Sequence, residues 1–342
     1  MAGPMVGLKL VALVLGLLVM VPKTMQRNVD DPLYGLLQRL NDNEGPFLGI
    51  ILPESDRDEE LFKNSGYFEA RKDNSSLMFA GRQFNIGKFR GMSAVYVRAG
   101  EPLANVGATV QLLIEKFRLI GIISYGTSGS TSDKLDVPNV AVPTYVAYAS
   151  AWKWQEWEPS VEVHGKARPS LKIGDYNVPK PGENKLGSIQ YEKVRKYTPK
   201  GSKRETFWFY IYPEWVDIAN EIEASELDRC IGGTTCNEQL PEIVKGLRIA
   251  SSDSYISNSA YANFLRDHLD VAAVDTDSAG VVSVAVANGM PHIVFKAASN
   301  RPGVPQDPKL SALARENVLK VVAAFVDRLS QKMQPQPRIS IY

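Results

Sequence analysis

The side chains best placed to do chemistry gather in one stretch of thirty residues, Val271 to Asn300, reading VAAVDTDSAGVVSVAVANGMPHIVFKAASN. Asp275, Asp277 and Ser278 follow a short apolar run at the point where a helix would begin, and Ser299 and Asn300 close a second apolar run that starts at His292. Between the runs, the small residues Ala279, Gly280, Ala285 and Ala287 suit a closely packed helix; Asn288-Gly289 ends it and Pro291 bars its continuation. Strand, acidic turn, helix and strand in that order bring the carboxylate of Asp277 and the amide of Asn300 beside each other, on neighbouring strands, at the carboxyl edge of a sheet, where ligands bind in open α/β folds. The carboxylate can accept hydrogen bonds or act in acid-base chemistry, or it can do no more than cap the helix; the amide can hold a ligand but has no proton to give up.

Two glycine-bearing segments, RAGEPLAN (98–105) and YGTSGS (125–130), read as turns on either side of a helical stripe. Their backbone N–H groups, with Thr127, Ser128 and Ser130, can cradle an anion or a ribose oxygen; the alternative is that the glycines serve the turns alone. The only two cysteines, Cys230 and Cys236, bracket IGGTT, which permits either a disulfide or two free thiols. C-x5-C without further cysteines or a suitable histidine pair is no zinc signature, so neither a metal nor a cofactor is expected. Asn74-Ser75-Ser76 is a glycosylation sequon, and AWKWQEW (151–157) is an aromatic cluster that suits stacking or plain packing.

The elements that must position these groups follow from the pattern. FLGIIL (47–52) is a buried strand; Ser76 to Phe79, Gln83 to Phe89 and Ser93 to Arg98 form an antiparallel meander; Ala104 to Phe117 carries a helical stripe, and Ile120 to Ser124 is again a buried strand. Strand, helix, strand at that spacing requires a parallel portion of sheet. Asp136 to Pro143, Thr206 to Ile211, Leu247 to Ala250 and Asp253 to Ile256 read as further strands, and Pro213 to Leu227 and Ala260 to His268 as helices. Gly165 to Lys203 is a polar, Lys-rich excursion. Asp307 caps a final helix with Pro308 in its first position, and its apolar face assigns it to packing alone.

With 342 residues, 44% apolar, 23% charged and a net charge of +1, the chain has ample core for one large domain and no electrostatic case for nucleic acid. Lys9 followed by Leu10 to Val21 has the cationic flank and short apolar core of a secretory signal, which removes 1–25 from the fold and directs the chain to the vacuole or the cell exterior; an uncleaved anchor is the alternative. An N-terminal segment (26–45), a main domain (46–333) and a tail (334–342) remain.

Taken in order, FLGII, FAGRQFNIG, LANVGATVQLL, YGTSGS, WKWQ, the cysteine pair, SNSAYANFL, VDTDSAGVVSVA and IVFKAASN resemble the nucleoside phosphorylase and nucleosidase family, and within it the plant bark storage proteins, over about residues 46 to 330. The resemblance implies a three-layer αβα sandwich around a mixed sheet, with a pocket for a purine-type nucleoside and, in some members, phosphate. It permits a homo-oligomer. In active relatives an acidic residue after the first strand activates water, a Met-Glu pair holds the sugar, an aromatic residue stacks on the base and an Asp protonates it. Here the aromatic position falls on Tyr255, beside Ile256; the glycine segment keeps Gly126, Thr127 and Gly129; the Met-Glu pair becomes Thr276-Asp277; and the acid becomes Asn300. The first acidic position falls near Arg57, with Asp56, Asp58 and Glu59 around it, and Pro102 stands where a second glycine is usual. Three readings follow: a storage-type member with weakened or lost cleavage, an active nucleosidase or phosphorylase, and a nucleoside-binding protein.

Overall fold

The structure, a computed structural model, describes residues 32–155, 170–172, 188–201, 204–231 and 235–334. The expected signal segment, nearly all of the tail and most of the Lys-rich excursion lie outside these residues. The chain divides into two compact units, 1–44 and 45–342. The described part of the first is a helix, α1 (Pro32–Asn43), which carries Leu33, Leu36, Leu37 and Leu40 at helical spacing.

The second unit is built on an eleven-stranded mixed sheet. Its first strands are β1 (Phe47–Leu52), β2 (Phe68–Ala70), β3 (Ser76–Phe79), β4 (Arg82–Phe89), β5 (Met92–Arg98), β6 (Leu119–Ser130) and β7 (Val140–Tyr148). Five short strands follow in separate small sheets: β8 (Trp152–Gln155), β9 (Ser170–Lys172), β10 (Ser188–Tyr191), β11 (Val194–Lys196) and β12 (Arg204–Thr206). Then come β13 (Phe209–Tyr210), the paired β14 (Cys230–Ile231) and β15 (Thr235–Cys236), β16 (Ile243–Ser251), β17 (Ala273–Asp275) and β18 (His292–Asn300). The main sheet runs β13, β7, β16, β17, β6, β1, β5, β4, β2, with β18 paired to both β6 and β7 and β3 paired to β4.

All six residues of β1 are buried because it lies between β5 and β6, parallel to both, with helices over the sheet. The helices of this unit are α2 (Asp56–Asn64), α3 (Leu103–Lys116), α4 (Pro213–Ala219), α5 (Ser259–Leu269), α6 (Ser278–Asn288) and α7 (Pro308–Met333). α7 packs on β18, β6 and β7 together with α4, while α3 and α6 pack on each other, with α6 against β16 and β7, which gives the sandwich its two outer layers. Gly121 lets the α4 layer come close: a Cβ there would lie 2.2 Å from the Trp215 ring.

Several elements differ from the sequence reading. YGTSGS is no turn; β6 continues through it to Ser130 because β18 pairs along residues 122–129 after β1 has ended. The strand expected at 136–143 is shifted to β7, and the one expected at 206–211 breaks around the Ser-type turn in which Thr206 Oγ1 donates to the Trp208 carbonyl at 2.8 Å. The helix expected to reach Leu227 stops at Ala219, and Asp253 to Ile256 is a loop beyond β16. β17 and β18 are not neighbours; β6 lies between them, and its Gly129 pairs with Val274 on one side and Asn300 on the other.

Cys230 and Cys236 face each other across β14 and β15 and form a disulfide. Asn74 sits exposed in the turn before β3 with φ 49°, a conformation asparagine tolerates.

Candidate functional site

A cleft of about 390 Å³ opens at the carboxyl ends of β1, β6, β16, β17 and β18, with loops and the start of α7 completing its wall. Its floor is an ionic cluster. Asp275, ending β17, caps α6: its Oδ1 accepts from the backbone N–H of Asp277 (3.3 Å) and Ser278 (3.2 Å) and from Ser251 Oγ (2.5 Å), and the Ser278 hydroxyl donates to Oδ2. Asp277 occupies the N-cap position of α6 yet makes no capping bond with its side chain. Its carboxylate turns to Lys296, whose Nζ lies 2.5 Å from Oδ1 and 3.6 Å from Asp275.

Lys296 is 2% exposed and Asp277 3%. Two carboxylates thus share one ammonium out of contact with bulk water. Burial pushes the Asp277 carboxyl up to about 6; Lys296 pulls against this, while Asp275 and the carboxylate of Glu101 add to the rise. Burial alone would lower the Lys296 ammonium, but Asp277 and Asp275 outweigh it and hold the group above its ordinary value. Gly126 makes room for this arrangement: a Cβ there would lie 2.9 Å from Pro53 and 3.3 Å from Lys296 Nζ.

The expected residues divide as follows. Thr127, Gly129, Tyr255, Ile256, Thr276, Asp277 and Asn300 all line the cleft, whereas Gly126 lies beneath it against Pro53 and Lys296. Tyr255 stands 72% exposed at the rim on a loop anchored by Asp253, which accepts the Leu103 N–H at 2.7 Å. The Thr276 hydroxyl is spent on Glu101. Ser130 faces away, donating to the carbonyls of Ser132 (3.0 Å) and Leu135 (2.5 Å). Asn300 ends β18 half-buried, its Oδ1 accepting from Ser299 Oγ at 3.2 Å; its side-chain nitrogen has no protein acceptor among the described residues.

Around Arg57, which is exposed, the alternatives separate cleanly. Asp56 pairs with Arg98 at 2.8 Å and Glu59 with Lys63 at 2.7 Å, while Asp58 is buried and lines the cleft with Arg315 Nε 3.4 Å away. Arg315 lies on α7, so that helix contributes to the site as well as to packing. Lys296, Glu101, Ser251 and Arg315 went unread in the sequence. Of these, Lys296 alone left a signal, a lone charge inside the apolar run HIVFKA; Glu101 and Arg315 reach the cleft, and Ser251 supports Asp275 beneath it, from segments whose local pattern carries no mark of it.

A model of the phosphorylase superfamily matches residues 49–333. Bark storage proteins A and B of Populus deltoides are 32% and 31% identical over 325 residues, covering 94% of this chain and 99% of each relative. Among solved structures, an aspartate-to-asparagine mutant of the Helicobacter pylori MTAN, with 5'-methylthioadenosine in its active site, superposes with a TM-score of 0.54 at 16% identity, covering 84% of this chain and all of that one. The Streptococcus pneumoniae 5'-methylthioadenosine/S-adenosylhomocysteine nucleosidase with a transition-state inhibitor gives 0.55 at 16% identity over 82% of this chain and 99% of its own.

Proposed function

The chain belongs to the phosphorylase superfamily, and on that premise we propose that its cleft is a purine-nucleoside pocket in which N-glycosidic cleavage is weakened or lost, in a secreted or vacuolar protein of the bark storage type. The observation that carries the reading is Asn300. It stands half-buried on the cleft wall with an amide nitrogen that has no acceptor among the described residues, able to hold a base by a hydrogen bond and unable to protonate it. Loss of a general acid costs on the order of 10² to 10⁴ in rate.

Asp277 serves the sugar. Lys296 orients the carboxylate by one oxygen, leaving the other to accept from hydroxyls. Tyr255 and Ile256 at the rim supply a face for the base. Nucleosides fit the relatives: one solved neighbour holds 5'-methylthioadenosine. Export is supported by the amino-terminal apolar run and by the Cys230–Cys236 disulfide.

A nucleoside panel assayed with and without phosphate, on disulfide-intact protein, tests this. The expected outcome is heat stabilisation by purine nucleosides with little free base released, and a rise in cleavage of at least about tenfold in Asn300→Asp. Brisk cleavage by the wild type would overturn the proposal.

One observation favours a second reading, an active nucleoside hydrolase: Asp58 brings a buried carboxylate to the cleft, where it can activate water. Asp58→Asn separates the two, since it abolishes residual cleavage under the second reading and leaves ligand stabilisation intact under both.

A further inference from the structure

We infer that the cleft refuses anions: it takes its nucleoside-type ligand neutral or cationic, binds neither inorganic phosphate nor a 5'-phosphorylated ligand, and leaves water as the nucleophile for whatever cleavage survives. The ligand class rests on the nucleoside reading above; the charge selection rests on what the protein has already done with its own anion-binding groups.

A phosphate site needs an uncommitted cation or a set of free N–H groups, usually at a helix start. The starts of α3 and α6 at this cleft are filled from within, and at the start of α2 the Asp58 N–H donates to Ser55 Oγ at 3.3 Å. In the segment leading to α3, the Gly100 N–H donates to Glu54 Oε2 at 2.8 Å and the Leu103 N–H to Asp253 Oδ1 at 2.7 Å, while Pro102 has no N–H to offer. At the start of α6 the N–H groups of Asp277 and Ser278 donate to Asp275, and that of Ala279 donates to Ser251 Oγ at 2.8 Å. Side-chain oxygens of the protein, most of them carboxylates, thus hold the positions an incoming phosphate would need.

The cations are committed too. Lys296 lies between Asp277 and Asp275, and Arg315 is ion-paired with Asp58, its buried Nε 3.4 Å away without forming a hydrogen bond, and donates from its η1 nitrogen to Ser311 at 2.9 Å. Against these two cations, six carboxylates line the cleft, Glu54, Asp58, Glu101, Asp253, Asp275 and Asp277, of which, among the described residues, Glu54 alone has a further cation, Arg98 at 2.9 Å. A dianion entering this space meets an excess of like charge at short range, in a setting where water screens poorly.

The test uses the full, disulfide-intact chain with inorganic phosphate, adenosine and AMP as probes, read by calorimetry and thermal shift at constant ionic strength. The wild type is expected to show no saturable response to phosphate at tens of millimolar, and to bind AMP at least about 100-fold more weakly than adenosine. The double variant Glu54→Gln/Asp253→Asn weakens the internal acceptors of the Gly100 and Leu103 N–H groups and removes two negative charges; phosphate or AMP affinity should then rise by at least about tenfold. If that variant does not fold, Glu101→Gln removes one cleft charge at a side chain bonded to Thr276 and should raise AMP affinity severalfold. Saturable phosphate binding by the wild type, AMP within about tenfold of adenosine, or a folded variant with no gain in anion affinity overturns the inference. A protein that ignores adenosine yet refuses phosphate as wild type and accepts it as the variant would sink the nucleoside reading and leave the charge selection standing.

Discussion

Lys296→Met removes the ammonium while keeping most of the volume of the side chain. In the folded protein Lys296 Nζ lies 2.5 Å from Asp277 and 3.6 Å from Asp275, with all three side chains 5% exposed or less. Its loss leaves two buried carboxylates opposed, and removing one member of a buried pair costs roughly 3–5 kcal/mol. The cost depends on pH, and its sign follows from Asp277. The folded-state value of about 6 lies above that of an unfolded carboxylate, so the folded protein takes up the proton first and acidification relieves the strain of burying the charge. Without Lys296 the restraint on that rise disappears and the value climbs further.

The variant should therefore lose most stability at about pH 8 and less at about pH 5, the gap changing by at most about 1.4 kcal/mol per pH unit between the two folded-state values. Denaturant unfolding across that range measures it, with Asp277→Asn and the double variant completing the cycle. Adding Asp277→Asn to Lys296→Met should return about 2 kcal/mol near neutral pH. A loss below about 1 kcal/mol at pH 8, or one equal at both ends of the range, refutes the idea that a shared ammonium holds this turn together.

The same carboxylate sets how ligand binding should respond to pH. Asp277 accepts from hydroxyls most strongly when ionised, because protonation turns one of its oxygens into a donor, so affinity for adenosine should fall as pH drops through about 6 and Asp277→Asn should flatten the curve; an affinity constant across that interval would remove Asp277 from the sugar site. Gly121→Ala would put a Cβ 2.2 Å from the Trp215 ring and 2.8 Å from the Pro291 carbonyl, and should cost about 1–3 kcal/mol in denaturant unfolding; an unchanged midpoint would mean that α4 shifts freely. Replacing Cys230 and Cys236 together by Ser should cost roughly 2 kcal/mol on the chain-entropy account, and intact-mass analysis of the wild type should find two hydrogens fewer than the dithiol form; two free thiols in protein from its native compartment would also weaken the proposal of export.

Where local signals punctuate the chain, its elements were legible in the residues alone. Gly289 takes the left-handed cap with φ 65° that ends α6, and Asp307 accepts from the N–H groups of Lys309 and Leu310 to start α7. Both signals act within a turn of helix, so they are written beside the elements they bound. The meander of β3, β4 and β5 was readable for the same reason, its turns being marked by Gly81 and Gly91. That Tyr255, Thr276, Asp277 and Asn300 belong together was what the family resemblance implied, and all four line one cleft.

Tertiary pairing decided the rest. YGTSGS reads as a turn until β18, more than 160 residues on, pairs along it (Ala297 with Thr127, for instance). Asp277 offers a capping side chain, but Asp275 has taken the α6 N–H groups and Lys296 has taken Asp277. Asn300 reaches the cleft through Gly129 of β6, where adjacency to β17 had been expected. Arg315 sits on a helix whose apolar stripe gives no hint of a ligand, and Asp58 becomes the inward carboxylate because it shares the buried face of α2 with Phe62, four residues on, while Asp56 and Glu59 turn to Arg98 and Lys63. Each of these outcomes is a competition for partners among groups distant in sequence, and only strand order and packing fix which partner is within reach.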